Sequence, residues 1–324
     1  MTLHLCLAGE GAIARSHMEV LKRTPGVAVV CLVGGVAGPA ALFAQEWSIP
    51  HLSMDLDECL AKPGIDAVVL ATPSHLHAEQ AVACLRAGKH VLIEIPMALN
   101  VADSERVAAT AAARPDLVCM VAHTRRFNAP HREMRRRIAE GHFHLQHLVS
   151  ETYFFRRENT NARGEPRSWV DSLLWHHACH SVDLMTWLLD DPELDAWGQQ
   201  GPVHPTLGTS MDMTIALRSR RSAGALGTLA LSFNNRGPFG GFYRYIGEEG
   251  TYRAYRDELL DDEGNPIGLT GIGIESQDRE FIAAIAERRL PEASVAACLP
   301  SMRILDRIER CMAEHLTPAP DGLS

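Results

Sequence analysis

Apolar residues in the first third of the chain come in short runs, at 2–8, 27–33, 65–71, 90–95 and 117–122. Helix-like stretches separate them: residues 12–23, 75–87 and the alanine-rich 101–113. Strands that are apolar throughout, each followed by a helix, predict a parallel sheet covered on both faces. After His123 the pattern changes. Residues 145–155, 211–218, 224–234 and 243–255 alternate or run apolar and are broken by Gly, Asn and Pro, which predicts mainly antiparallel strands in a large open sheet. A helix over 171–189 is expected to cover one face of that sheet, leaving the other free for a second subunit. Residues 275–288 and 301–315 read as closing helices.

The turn after the first strand is Gly9-Glu10-Gly11-Ala12-Ile13-Ala14, a G-x-G-x-x-A spacing that opens a helix. Gly9 permits the tight turn, Gly11 allows backbone to approach a pyrophosphate, and Ala14 is small enough for close helix–strand packing. The free N–H groups of the helix start, Ala12 and Ile13 among them, suit that anion. The fold class is thus an α/β Rossmann domain, a doubly wound parallel sheet, over residues 1–122. An α+β domain with a large open sheet follows over 123–324. At the end of the second strand an NAD site usually carries an acid and an NADP site an arginine. Here the residues are Gly34-Gly35-Val36, and after them no Lys or Arg occurs until Lys62, so the local residues leave both cofactors open. Ligands in such sheets sit beyond the carboxyl ends of the strands. Thr72, Pro73 and His75, with Glu94 and Ile95, are therefore candidates.

Composition narrows the function classes. The chain has 324 residues, 46% hydrophobic and 22% charged, with a net charge of −9. That argues against general nucleic-acid or membrane-surface binding. The eight cysteines are scattered without a CxxC pair, so neither a disulfide framework nor a cysteine zinc site is expected, and no metal. No apolar run reaches membrane-spanning length, and the reading is a soluble, cytoplasmic protein. Residues 123–167 depart from the acidic whole, with ten arginines against five glutamates, a net of +5. Arg132, Arg135, Arg136 and Arg137 sit at helical spacing near Glu133 and Glu140 and read as a solvated face. Arg125, Arg126, Arg156, Arg157 and Arg167 flank aromatic residues, Trp169 included, at strand or loop ends. They are expected to bind substrate carboxylates, because the guanidinium fork matches that group.

His176 and His180, four apart, share a face of the expected helix, and His177 is expected to point off it. An imidazole titrates near neutral pH and suits a general base. His180 is expected to be that base, His176 its orienter or substitute, and Asp183 an orienter of the imidazole or a substrate contact.

Four stretches resemble the glucose–fructose oxidoreductase / inositol dehydrogenase (Gfo/Idh/MocA) family: 9–14, 71–79 (ATPSHLHAE), 87–96 (AGKHVLIEIP) and 179–184 (CHSVDL). The resemblance implies that Thr72, Pro73, His77 and Glu94 lie along the cofactor. The family usually has Glu-Lys-Pro where this chain has Glu94-Ile95-Pro96, and an Asp where it has His176. Those departures, with His123–Asn128 (HTRRFN), 152–157 (TYFFRR), 167–169 (RSW) and 174–178 (LWHHA), are similar to the 4-carboxy-2-hydroxymuconate semialdehyde dehydrogenase subgroup, over nearly the whole chain. That likeness implies oxidation of a cyclic hemiacetal to 2-pyrone-4,6-dicarboxylate in protocatechuate 4,5-cleavage. It further implies NADP as cofactor with NAD as the alternative, a small dicarboxylate substrate, and a homodimer or homotetramer through the open sheet. Gly34 and Arg126 join the cofactor candidates, and His177 the substrate contacts. Relatives carry arginines where this chain has Gly35 and Val36. The competing readings are a sugar or polyol dehydrogenase of the same family and a non-catalytic cofactor-binding regulator.

Overall fold

A computed structural model describes residues 2–160, 164, 166, 167 and 169–315. The chain divides into two compact units. One comprises residues 1–127 and 272–299, the other 128–271 and the remainder from Pro300. The expected boundary after residue 122 therefore shifts by a few residues. A C-terminal segment assigned from the sequence to the second domain returns to the first, because its helix packs on the first helix of the chain.

The first unit is built on six parallel strands: β1 (Leu3–Ala8), β2 (Val27–Val33), β3 (His51–Ser53), β4 (Ala67–Leu70), β5 (His90–Ile93) and β6 (Cys119–Val121). Their order is β3-β2-β1-β4-β5-β6, the order of a dinucleotide-binding sheet. Helices α1 (Ala12–Leu21), α2 (Ala37–Trp47), α3 (Leu56–Ala61), α4 (His77–Arg86) and α5 (Val101–Ala112) link the strands. The central strands β1 and β4 are buried over their apolar lengths, as strands covered on both faces must be. The sequence pattern did not yield β3, α2 or α3, which are short or weakly amphipathic. Cys6, Cys31 and Cys59 are buried here and their sulfurs lie within 4.8 Å of one another, a convergence that linear spacing conceals.

The second unit holds a seven-stranded sheet: β7 (Leu145–Tyr153), β8 (Asp195–Gln200), β9 (Asp212–Arg218), β10 (Leu226–Ser232), β11 (Gly240–Gly247), β12 (Gly250–Tyr255) and β13 (Glu258–Leu260), in the order β13-β12-β11-β7-β10-β9-β8. The run at 243–255 is two strands, because Gly247 and Gly250 close a hairpin. The sheet is mixed, since β7 pairs with β10 in parallel. Helices α6 (Ala129–Ala139) and α7 (Cys179–Leu189) belong to this unit. A Cβ at Gly227 on β10 would run into the Met185 sulfur of α7, which lies on this strand. Helix α8 (Gly273–Glu287) packs on α1 in the first unit, and α9 (Val295–His315) changes unit at Pro300. No helix among the described residues is long and apolar enough to cross a membrane.

The expected helix over 171–189 is not one regular helix. Residues Leu173–Ala178 form a wide π-helical turn that Ser172 caps, and regular α-helix begins only at Cys179. The widened turn changes the angular phase of every side chain before it, which matters for the histidines.

Candidate active site

In the first unit the glycine turn has the geometry its residues suggest. Gly9 has φ +111°, and a Cβ there would collide with the Ala71 carbonyl, so only glycine fits. Gly11, the N-cap of α1, is exposed, and a Cβ on it would meet only open space. No carboxylate occupies the first turn of α1, whose leading N–H groups have no partner within the helix. Ala12 and Ile13 are exposed at this start, while Ala14 is fully buried against the sheet. Gly34 is buried, and a Cβ on it would strike the Ala40 side chain. An open glycine cradle before an uncapped helix start fits a dinucleotide diphosphate.

The loops after β4 and β5 carry the next candidates. Thr72 donates to Gln80 at 2.5 Å. His77 is buried with Nδ1 2.8 Å from the Pro96 carbonyl and Nε2 2.8 Å from the Thr72 carbonyl. It thus staples the two loops together. Burial pushes its pKa down, against the pull of those two carbonyls. His75 is exposed, and Pro73 and Ile95 are half-buried. Glu94 is buried and bonds His17 Nε2 at 3.0 Å, while His17 Nδ1 bonds Asp278 at 2.8 Å. Burial alone would lower the His17 pKa. The two carboxylates overcome it and raise the value to about 10, so an imidazolium is locked between Glu94 and Asp278. The sequence reading missed His17 and Asp278. They lie 261 residues apart, and only the packing of α8 on α1 brings them together.

Arg125 and Arg126 lie on a short 3₁₀ turn after β6. Arg126 is buried and donates to the carbonyls of Glu292 at 3.2 Å and Ala297 at 3.0 Å. Its guanidinium ties the returning C-terminal segment to the first unit. Two of its five N–H donors are engaged in this way. Arg125 is half-buried.

In the second unit two of the aromatic-flanked arginines, Arg156 and Arg167, converge on one residue that the sequence reading did not single out. Asp171 is buried, with Arg156 at 2.5 Å, Arg167 at 3.1 Å, His177 Nε2 at 3.0 Å and His176 Nδ1 at 3.8 Å. Burial alone would raise its pKa. The hydrogen bond from His177 and the charges around it prevail and hold the carboxyl well below the usual range. Burial lowers the Arg156 pKa, and Asp171 opposes that shift. Aromatic rings wall the cluster: Arg156 lies over Phe233 at 5.0 Å and Arg167 over Trp169 at 4.8 Å, while Trp169 stacks on His176 at 4.8 Å. Arg157 is exposed over Phe155 and donates to the Arg156 carbonyl at 2.6 Å. The neighbouring motif residue Ser168 lies outside the described residues.

His177, in the wide turn, lies on Asp171 between Phe154 and Phe233. With Nε2–H donating to Asp171, its Nδ1 keeps the lone pair that accepts a proton. His176 has the reverse tautomer: its Nδ1 accepts from the Ser172 N–H at 3.0 Å, so neutral His176 carries hydrogen on Nε2 and can only donate there. His180 is half-buried in the first turn of α7. Asp183 is fully buried and accepts from the Ser301 hydroxyl at 3.1 Å.

Comparison with known proteins accords with this geometry. Residues 3–123 match the model of an oxidoreductase family with an NAD-binding Rossmann fold, and residues 129–273 match that of bacterial oxidoreductases, C-terminal. The chain is 47% identical to a 4-carboxy-2-hydroxymuconate-6-semialdehyde dehydrogenase of Sphingobium sp. (strain NBRC 103272 / SYK-6), over 95% of this chain and 98% of the relative. It is 32% identical to a 1,5-anhydro-D-fructose reductase of Ensifer adhaerens, over 59% and 57%. Among solved structures, a levoglucosan dehydrogenase in complex with NADH superposes with a TM-score of 0.84 at 22% identity, over 97% and 98%. A scyllo-inositol dehydrogenase from Lactobacillus casei superposes with a TM-score of 0.81 at 17% identity, over 97% and 98%. With its dinucleotide-binding sheet, its large second sheet and near full-length identity to a named dehydrogenase, this chain belongs to the Gfo/Idh/MocA family of NAD(P)-dependent oxidoreductases acting on CH–OH groups.

Proposed function

We propose that this enzyme oxidises the cyclic hemiacetal of 4-carboxy-2-hydroxymuconate-6-semialdehyde to 2-pyrone-4,6-dicarboxylate. The observation that carries the reading is the Asp171 cluster, in which two half-buried arginines and two histidines surround one carboxylate. With both imidazoles neutral its net charge is +1, which suits a dianion better than a neutral sugar. The near full-length identity to a dehydrogenase named for that substrate supports the same reading.

In the reaction the hemiacetal carbon loses a hydride and its hydroxyl loses a proton, so the C–OH becomes the lactone carbonyl. A bound nicotinamide dinucleotide supplies the hydride acceptor. Arg156 and Arg167, oriented by Asp171, hold substrate carboxylates. His176 donates from Nε2 to a substrate oxygen. His180, at the position of the family histidine, takes the hydroxyl proton, because Ile95 stands where relatives carry a lysine. A second reading puts the base at His177, and the observation favouring it is its Nε2–H bond to Asp171, the arrangement by which a carboxylate orients a general base.

The hemiacetal, generated in situ by 4,5-cleavage of protocatechuate, should reduce added nicotinamide dinucleotide in the presence of the enzyme. His180→Ala should cut turnover at least about a hundredfold with cofactor affinity unchanged. If His177→Ala alone does so, the base is His177. Turnover of inositol or glucose but not of the hemiacetal would replace this proposal with the polyol-dehydrogenase reading.

A further inference from the structure

The end of β2 lacks the acid of an NAD site and the arginine of an NADP site, yet its backbone is not bare. Glu10, between the two glycines of the first turn, reaches across to it. Its Oε2 accepts from the Gly35 N–H at 2.9 Å and its Oε1 from the Val36 N–H at 2.9 Å. Val36 is the N-cap of α2, so the carboxylate sits on the amides that open that helix. Both residues are exposed, which leaves this carboxylate at a surface a ligand can reach. No Lys or Arg occurs between Arg23 and Lys62. Arg15, the base nearest in sequence to Glu10, is paired with Glu46 and lies over Phe43.

We infer that Glu10 supplies from the first loop the carboxylate that β2 lacks, and that it selects NAD over NADP. The inference rests on the dinucleotide-binding reading but not on the identity of the substrate. The carboxyl end of β2 is where the adenosine ribose is recognised in this fold. A 2′-hydroxyl there can donate to a carboxylate that still has free lone pairs. A 2′-phosphate meets a like charge, finds the amides that would receive it already bonded, and has no Lys or Arg from residues 24–61 to pair with. One side chain thus both attracts the first cofactor and repels the second.

Direct binding tests this without turnover. Ligand-free protein is titrated separately with NADH and NADPH, following quenching of tryptophan fluorescence. The wild type should bind NADH at least about tenfold more tightly than NADPH. Glu10→Gln keeps the shape and removes the charge. It should shrink that ratio at least fivefold, mostly through tighter NADPH binding, with an unchanged melting temperature. A salt titration of the wild type needs no variant: screening should move the ratio toward NADPH. Equal or tighter NADPH binding by the wild type, or a ratio insensitive to Glu10→Gln, would overturn the assignment. Failure of both nucleotides to bind would instead overturn the dinucleotide reading and this inference with it.

Discussion

Two buried charge clusters, one in each unit, are charge inversions of one another. In the first, a single imidazolium, His17, lies between two carboxylates, Glu94 and Asp278. In the second, a single carboxylate, Asp171, lies among two guanidiniums and two imidazoles. The first keeps an excess of negative charge and is closed, with His17 wholly buried. The second keeps an excess of positive charge and remains part-exposed along Arg156, Arg167 and His177. Under the proposed function, the difference teaches that a buried charge cluster of similar make-up serves either to lock a loop or to receive a ligand. The sign of the excess and the access of solvent decide which.

Removing the central residue of each cluster is the strongest way to break the comparison. Asp171→Asn leaves the half-buried Arg156 and Arg167 without their counter-charge. It should lower stability by about 3–5 kcal/mol and cut kcat/KM for the dicarboxylate at least about a hundredfold. Urea titration and steady-state kinetics check both, and a variant with normal kinetics would remove Asp171 from the site. His17→Gln should cost a few kcal/mol, and its signature is the pH profile. The folded His17 pKa is raised, so its contribution is complete below about 6.5 and is lost as pH rises through about 10. Wild-type stability should fall between pH 7 and 10, and the variant's should stay flat. The Asp171 carboxyl is depressed, so its contribution is present above the usual carboxylate value of 3.8 and is lost only in acid. One cluster therefore fails in alkali and the other in acid, and parallel urea midpoints across pH for wild type and His17→Gln would refute the locked imidazolium. The smallest effect sharpens the boundary of the site. Arg126→Ala should lower stability by about 1–3 kcal/mol through its lost carbonyl bonds, with KM for the substrate held within about twofold. A large rise in KM would place Arg126 in the site.

The legibility of these features in the sequence follows the range of the interactions that make them. The strands β1, β2, β4 and β5 were visible because each is a local apolar run, and the glycine turn because its chemistry lies within six residues. The arginine excess at 123–167 was visible as composition. The focus of Arg156 and Arg167 was not, since Asp171 looked like the first residue of a helix. The π turn over Leu173–Ala178 was not legible either, since the residue pattern there does not depart from that of a regular helix. The carbonyls that Arg126 bonds were not legible either, because a sequence shows a charge but not its partners.

By itself the sequence determined the two-part architecture, the dinucleotide cradle and the presence of a cationic, histidine-bearing region. Those are set by local periodicity, by what glycine alone permits and by net charge, all of which are properties of adjacent residues. The tertiary structure alone decided the return of residues 272–299 to the first unit, the pairing of His17 with Asp278, the role of Asp171 and the reach of Glu10 to the end of β2. Each depends on groups brought together from distant elements or on a departure from regular helix. A buried charge is tolerable only where packing has already delivered its partner.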